Sequence, residues 1–272
     1  MNTQVDRDQF LAKSELIEKM SNADYHAHPA FSSSQLKDLL RSAAHFYVNS
    51  ISKEVEKTAT AAMDLGTLTH TLFLEPDTFE AEFILMPEDA PSRPTSAQLN
   101  AKKPSDETIA KIEWWQAFEQ QAAEKQIISI DDFQTATKMA EQLRSLSMFS
   151  NMQNHIGMPE ASFFFTDPIY DLQLRVRPDW HIKPCDQYPN GLIIDLKTTD
   201  DARPHAFSNT CDKFCYDLSA AMYQEGFQQV YQTEGKPNFI FLVVERKAPF
   251  NVKQYTGSDC KTDLSPNHWS NG

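Results

Sequence analysis

The chain has 272 residues, of which 40% are hydrophobic and 23% charged, a composition that excludes a disordered or fibrous protein and fits one large globular domain. The net charge of −13 argues against a surface that is basic throughout, but it leaves room for a local basic channel. No apolar run is long enough to span a bilayer and no signal peptide is recognisable, so we expect a cytoplasmic protein without a membrane partner.

The N-terminal half of the chain is dominated by helical patterns. Residues 1–25 are polar and weakly periodic, so we expect residues 1–30 to form a partly disordered arm. The serines at 32–34 can cap a first helix, whose apolar stripe is formed by Leu36, Leu39, Leu40 and Ala43. Further helices are predicted over 59–74, over 105–125, and from Asp131 or Asp132 to about Ser150.

The second half of the chain changes to strand patterns around one more helix. The strands are predicted over Ala161–Thr166, Ile169–Trp180, 191–199, Asn238–Glu245 and Phe250–Tyr255, and the helix over 214–231. Helices that flank a central mixed sheet indicate an α/β or α+β fold. We expect the main domain to cover 31–255, with a helical insertion at 87–150 and an irregular, poorly ordered tail at 256–272.

The four cysteines leave two interpretations open. Cys185, Cys211, Cys215 and Cys260 match no zinc spacing and are too few for a disulfide scaffold. Cys211 and Cys215 are one helical turn apart, and with the other two they could hold an iron–sulfur cluster. The alternative is that they are small buried residues.

The strongest pattern couples the stretches RVRPDW and GLIIDLKTT. Pro178 removes a backbone donor, so the first strand ends or bends next to Asp179. The intervening HIKPCDQYPNG resembles a hairpin connection, which would bring Asp179 close to Asp195. Two adjacent carboxylates repel each other unless a cation lies between them, and such hard oxygen ligands suit Mg²⁺ or Mn²⁺.

Lys197 lies on the same strand face as Asp195, because side chains at i and i+2 of a strand project together. Its ammonium group could orient or deprotonate an attacking water, or stabilise charge that develops on a phosphate. The alternative is an ordinary surface ion pair, which contributes little.

Together, RPDW and GLIIDLKTT resemble the P-D…(D/E)-x-K nuclease motif. Five more stretches extend the resemblance over about residues 30–255: SSSQLKDLL, MDLGTLTHTLFLEP, PEASFFF, YDLSAAMYQEGF and FIFLVVE. This set is similar to the RecE-type exonucleases, which include the exodeoxyribonuclease VIII of prophage recombination systems. These exonucleases are themselves related to the RecB nuclease domain. The resemblance implies a restriction-endonuclease-like PD-(D/E)XK core.

The resemblance also implies roles for particular residues. The metal ligands would be His70, Glu160, Asp179 and Asp195, and the catalytic set would be Lys197, Asp195, Asp179, Glu160 and Tyr223. Relatives usually carry a glutamine four residues before the tyrosine, where this chain has Ser219, and Gln224 points elsewhere. Relatives also continue into a C-terminal helix, whereas this chain continues as TGSDCKTDLSPNHWSNG.

Each of these residues also has a structural interpretation. His70 could be a half-buried histidine, Glu160 a solvated residue at a strand start, and Tyr223 part of the core. Arg175 and Arg177 could contact phosphates or solvate a sheet face. Lys37 and Arg41, on the helix with the serine-rich start, could hold a phosphate or belong to a capped surface helix.

The resemblance implies a Mg²⁺-dependent exonuclease that degrades linear double-stranded DNA from 5′ ends. Its product would be a 3′ single-stranded tail for a RecT-like single-strand annealing recombinase in phage-type recombination, and the enzyme would be a ring-shaped homo-oligomer. The alternatives are a catalytically impaired protein that binds DNA ends, an iron–sulfur nuclease of the AddB type, and an unrelated α+β protein with a surface Asp–Lys pair.

Overall fold

A computed structural model describes residues 14–52, 61–154, 157–167 and 169–256, and most of its strands form two sheets. One sheet has the strand order β1-β6-β7-β2, the other has the order β11-β10-β9-β8-β5, and β3 and β4 pair separately. The strands are β1 (Glu15–Ile17), β2 (Phe31–Ser32), β3 (Phe83–Leu85), β4 (Gln126–Ile128), β5 (Gly157–Pro159), β6 (Ser162–Asp167), β7 (Leu172–Val176), β8 (Trp180–Ile182), β9 (Leu192–Thr199), β10 (Asn238–Glu245) and β11 (Val252–Thr256).

Helices surround these sheets. They are α1 (Asn22–Ala27), α2 (Ser33–Arg41), α3 (Ala43–Phe46), α4 (Ala61–Leu74), α5 (Phe79–Glu82), α6 (Ser96–Leu99), α7 (Asp106–Ala122), α8 (Ile130–Arg144), α9 (Ser147–Asn154), α10 (Pro204–Phe214) and α11 (Tyr216–Tyr231), with a π-helical turn at Tyr47–Ile51 and a 3₁₀ turn at Pro76–Thr78. None of the helices within the described ranges is long and apolar enough to cross a bilayer.

Strand β9 is the buried centre of the five-stranded sheet. It pairs with β8 as an antiparallel hairpin and with β10 in parallel, so α10 and α11 together form the crossover between β9 and β10. Ile193 packs in the core on one face of the strand, and Leu192, Ile194 and Leu196 pack in the core on the other. A strand that is covered on both faces explains why this stretch is nearly continuously apolar.

The turn before β9 requires glycine. The N–H of Gly191 donates to the carbonyl of Tyr188 at 2.8 Å, and Gly191 has a φ of +83°. A Cβ atom there would lie 2.2 Å from the ring of Phe227, so both the conformation and the space exclude a side chain. This turn fixes the hairpin that was predicted to bring the two aspartates together.

Several predicted element boundaries are wrong, and several helices were not predicted. The first-helix cap is Ser32, in a capping box with Gln35, but the cap of α8 is Ser129 and not either aspartate that follows it. The strand predicted over 169–180 begins later, at Leu172, and it is interrupted next to Pro178, as this proline predicted, so that it forms β7 and β8. Helix α10 was not predicted. The sequence beyond Thr256, including the predicted tail, lies outside the described residues.

The described part of the predicted N-terminal arm is bound to the sheet. Strand β1 pairs antiparallel with β6. Arg177 donates to Ser162 Oγ at 3.0 Å, to Asn22 Oδ1 at 2.7 Å and to the carbonyl of Met20 at 3.0 Å. Arg175 donates to backbone carbonyls of the same N-terminal segment. Both arginines are buried structural residues, and neither solvates a sheet face.

Replacing Arg177 by alanine is expected to destabilise the fold by about 2–4 kcal/mol, because hydrogen bonds from a buried charged group are lost and their acceptors stay buried. Urea unfolding measures this change. Arg203→Ala is the matched control, since its ion pair with Asp201 is at the surface and its loss should change the free energy of unfolding far less. Equal effects of the two substitutions would contradict the structural role of Arg177.

Candidate metal centre

Two carboxylates face each other where the chain passes between the sheets. Glu160 follows β5 and Asp179 precedes β8, and the N–H of Glu160 donates to the carbonyl of Asp179 at 3.3 Å. Glu160 has a φ of +48°, a left-handed conformation that is uncommon for a residue with a side chain. Strained backbone of this kind persists where the surroundings hold it, and it is frequent at functional sites.

His70 of α4 lies against this pair. Its Nδ1 is 3.7 Å from Asp179 Oδ1, and its Nε2 is 3.1 Å from the carbonyl oxygen of Leu196. A carbonyl can only accept a hydrogen bond, so Nε2 is the donor in this contact, and Nδ1 is the ring nitrogen that faces the carboxylates. Metal-ligating histidines commonly have this arrangement, with the second ring nitrogen held by a backbone carbonyl.

The three side chains together form a candidate site for one divalent cation. Ligand atoms of His70, Glu160 and Asp179 all lie within 4.8 Å of one another, and within the described ranges no other group of three or more His, Cys, Asp or Glu residues does so. Two carboxylates and an imidazole suit Mg²⁺, Mn²⁺ or a similar ion. The three side chains therefore fit a divalent metal ion, but they do not determine which one.

Asp195 stands next to this group but is engaged differently. Its Oδ2 contacts Nζ of Lys197, and the exposed fractions of the two side chains are 3% and 22%, so this is a buried ion pair and not a surface one. Of the four predicted metal ligands, the structure thus brings three together as a group. The fourth, Asp195, is paired with the predicted catalytic lysine.

The backbone of Leu196 joins the two halves of the site. Its N–H donates to Asp179 Oδ2, and its carbonyl oxygen lies 3.1 Å from His70 Nε2 and 3.4 Å from Lys197 Nζ. Sequence reasoning missed this residue, because a leucine between two charged residues carries no chemical signal. The backbone N–H of Leu196 fixes the position of Asp179, and its carbonyl oxygen fixes the position of His70.

The local charges shift the pKa values of the acidic residues. Burial raises the pKa of Glu160 to about 9, and the Asp179 carboxylate adds to this effect. Burial also raises the pKa of Asp195, although the ammonium group of Lys197 opposes it. Without a cation, ionisation of one buried carboxyl group makes ionisation of its neighbour less favourable. Raised pKa values of this kind are therefore expected at a site that binds a cation.

Lys197 is held in its charged form. Burial alone would lower the pKa of Lys197, but the carboxylates of Asp195 and Asp179, with Tyr216, together outweigh it and raise the pKa above its usual range. A lysine with a raised pKa stays protonated at neutral pH. It is therefore suited to donating hydrogen bonds to a phosphate oxygen and is a poor general base.

In the absence of metal, Glu160→Gln is expected to stabilise the protein increasingly as the pH rises. Because the folded-state pKa of Glu160 is raised from 4.5 to about 9, the folded protein keeps a proton that the unfolded chain releases. The free energy of unfolding of the unmodified protein then falls between these pH values, by at most about 1.4 kcal/mol per pH unit. Urea unfolding in a chelator across this range measures it, and parallel pH curves for the two proteins would contradict the assignment.

The helix α11 supplies a partly buried tyrosine but not the expected glutamine. Burial raises the pKa of Tyr223 well above its ordinary value, and the carboxylates of Asp195 and Asp179 add to the shift. Its ring packs near Phe239 in the core. Ser219, one turn earlier, is also buried, and the catalytic role of Tyr223 stays a prediction.

Two further residues lie near Lys197, the predicted catalytic lysine. Nζ of Lys197 lies 5.1 Å from the ring centroid of Tyr216, and Nζ of Lys37 lies 5.4 Å from the same centroid. Lys37 was predicted as a possible phosphate ligand, whereas Tyr216 was missed. Arg41, at the other end of α2, is exposed. Gln224 donates to the carbonyl of Pro237 at 2.8 Å and does not replace the missing glutamine.

The described cysteines do not form a metal site. Cys211 is part of the core cluster around Phe207, Cys185 packs against a separate cluster that contains Ile182, and neither joins Cys215 in a group of ligands. Cys260 lies outside the described residues. The structure gives no support to the iron–sulfur interpretation.

Comparison with known proteins defines the class that this fold and site represent, a PD-(D/E)XK-type nuclease fold. The chain belongs to the family described as a PDDEXK-like domain of unknown function (DUF3799), whose model matches residues 32–267. This match confirms the predicted fold class. It does not single out the RecE-type exonucleases within the superfamily.

A solved structure supports the fold. The crystal structure of a candidate exonuclease from Eubacterium rectale is similar with a TM-score of 0.54 and 11% identity, over 89% of this chain and 80% of that chain. A crystal structure of SSO0001 covers 73% of this chain and 83% of its own at 10% identity, but its TM-score of 0.28 carries no argument. No curated protein sequence matches the chain.

Proposed function

We propose that this protein is a divalent-metal-dependent deoxyribonuclease that hydrolyses phosphodiester bonds from the ends of linear double-stranded DNA. The observation that carries the proposal is the group formed by His70, Glu160 and Asp179 next to the buried Asp195–Lys197 pair. A ligand group for a hard cation beside a fixed ammonium group is what phosphodiester hydrolysis needs, and the family's nuclease fold supports the same assignment.

Each residue has a defined task in this proposal. His70 Nδ1 and the carboxylates of Glu160 and Asp179 would hold the cation, which when bound lowers the pKa of water and neutralises phosphate charge. Asp195 holds the ammonium group of Lys197 in place. Lys197 then donates to the oxygen on which negative charge develops, and its raised pKa favours this task over deprotonation of water.

The finer features of the proposal come from the resemblance to RecE-type exonucleases. They are Mg²⁺, with Mn²⁺ as a substitute, digestion from 5′ ends, a RecT-like annealing partner, a role in phage-type recombination and a ring-shaped homo-oligomer. A DNA substrate of this kind also implies that the protein acts in the cytoplasm.

Digestion of a linear duplex that is labelled separately at each kind of end tests the proposal. We expect loss of the 5′ label first, only with Mg²⁺ or Mn²⁺, and a 3′ single-stranded product. Release from 3′ ends would contradict the polarity, and cleavage that is unaffected by chelation would contradict the metal centre.

A second candidate is a protein that binds DNA ends without cutting them. The specific observation in its favour is Ser219, which stands where the resemblance to RecE-type exonucleases implies a glutamine. Retention of labelled duplex ends in a binding assay, with no cleavage in Mg²⁺ or Mn²⁺, would favour this candidate over the nuclease.

A further inference from the structure

An exposed aromatic ring stands at the mouth of the cleft that contains the candidate metal centre. The cleft has a volume of about 1430 Å³, and its walls include His70, Glu160, Lys197 and Phe214. Phe214 is the last residue of α10, and it is 48% exposed. A large apolar ring that stays exposed beside a polar site is a candidate contact for a ligand.

The ring is the outer end of a stack that is anchored in the core. The ring of Phe214 is 5.8 Å from that of Tyr216 at an interplanar angle of 22°, and Tyr216 is 5.8 Å from Phe241 at 29°. Phe241 is fully buried in β10, where it pairs with Asp195 of β9. The stack therefore fixes Phe214 relative to β9, the strand that carries Asp195 and Lys197, while 48% of Phe214 stays exposed to solvent.

Positive side chains border this stack. Nζ of Lys213 lies 5.1 Å from the ring centroid of Phe214, and the ammonium groups of Lys37 and Lys197 both lie near the ring of Tyr216. Arg246 also lines the cleft, but its guanidinium is paired with Asp200 at 2.6 Å. Lysines that alternate with aromatic rings match a nucleotide strand, which presents phosphates and base faces in turn.

We propose that Phe214 is a stacking subsite for a nucleobase of the DNA strand that enters the candidate metal centre. The inference rests on the proposed function and specifies the form of its substrate. A base can stack on Phe214 only if one of its faces is free, so the ligand is an unpaired or frayed strand end and not the interior of a duplex. Lys213 and Lys37 would contact the phosphates of this strand.

The test uses the full-length protein and a short single-stranded DNA that carries 2-aminopurine near its 5′ end. Binding is measured by fluorescence in Ca²⁺, which accepts the same oxygen ligands as Mg²⁺ in a looser geometry. Stacking is expected to quench the probe. Phe214→Ala should weaken binding about 5- to 150-fold and remove the quenching, since stacking of one base contributes about 1–3 kcal/mol.

Three controls separate stacking from a general effect on the fold. Phe214→Trp should restore binding and quenching, because tryptophan offers a larger ring. Tyr170→Ala, at a residue that is 74% exposed and lies outside the cleft walls, should change neither. An abasic nucleotide in place of the stacked base should weaken binding to the unmodified protein but not to the Phe214→Ala protein, so the two changes should not add.

The outcomes distinguish this inference from the proposed function. If Phe214→Ala binds with unchanged affinity and the abasic penalty persists, the stacking subsite is wrong while cleavage by the metal centre can stand. If the probe is quenched and the abasic effect depends on Phe214 but no cleavage occurs in Mg²⁺ or Mn²⁺, the subsite holds and the nuclease proposal fails. Absence of DNA binding contradicts both.

Discussion

Replacing Lys197 by alanine is expected to reduce DNA cleavage about 10²- to 10³-fold or more while DNA binding changes far less. The reason is that the ammonium group is placed to stabilise charge in the transition state, and removal of one such preorganised donor typically costs this much. Its pKa is raised, so it is charged throughout the neutral range. Single-turnover cleavage of labelled duplex and a separate binding titration measure the two quantities.

The same substitution has a second consequence, which provides its control. Asp195 is 2% exposed, so the loss of Lys197 leaves a buried carboxylate without its partner. Removal of one member of a buried pair typically costs about 3–5 kcal/mol, whereas replacing both members can be nearly neutral. The double variant Asp195→Asn with Lys197→Met should therefore recover stability but not activity. Recovery of cleavage in the double variant would contradict the catalytic role of the pair.

Replacing Asp179 by asparagine is expected to remove detectable metal binding and to reduce cleavage strongly. Asp179 contributes one ligand atom to the group with His70 and Glu160, and its other oxygen accepts from the N–H of Leu196. Stabilisation by a bound metal is typically several kcal/mol, so we expect a loss of activity of about 10³-fold. Calorimetric titration with Mn²⁺ and the cleavage assay measure the two losses.

Asp200→Asn is the matched control for this experiment. Asp200 also lines the cleft, but its carboxylate pairs with Arg246 at the surface and lies outside the ligand group. Its replacement should leave Mn²⁺ affinity and cleavage within about threefold, which corresponds to well under 1 kcal/mol. Similar losses of Mn²⁺ affinity and cleavage in the two variants would contradict the role of Asp179 as a metal ligand, because they would show that the total negative charge of the cleft determines both quantities.

The hairpin that carries the two aspartates was predictable because its signals are local. Pro178 marks the bend before Asp179, Gly191 permits the turn, and the apolar run that follows defines a strand that is buried on both faces. Helix α4 was likewise evident from its composition, and His70 lies on it.

The pairings around the site were not predictable from one sequence, because they depend on contacts between distant segments. Asp195 contacts Lys197 and is not part of the ligand group, although both arrangements fit the same D-x-K spacing. Arg177 faces inward to bind the segment that contains Asn22, a contact across 155 positions. The bond from Leu196 to Asp179 and the left-handed conformation of Glu160 are set by tertiary structure alone.

The position of a bound metal tests the central claim most directly. Crystals soaked in Mn²⁺ and measured by anomalous scattering are expected to show a single strong peak within coordination distance of His70 Nδ1 and of carboxylate oxygens of Glu160 and Asp179. The peak should be absent in crystals of the Asp179→Asn protein. A Mn²⁺ peak elsewhere in the cleft, or none near these three side chains, would contradict the metal centre and with it the proposed nuclease mechanism.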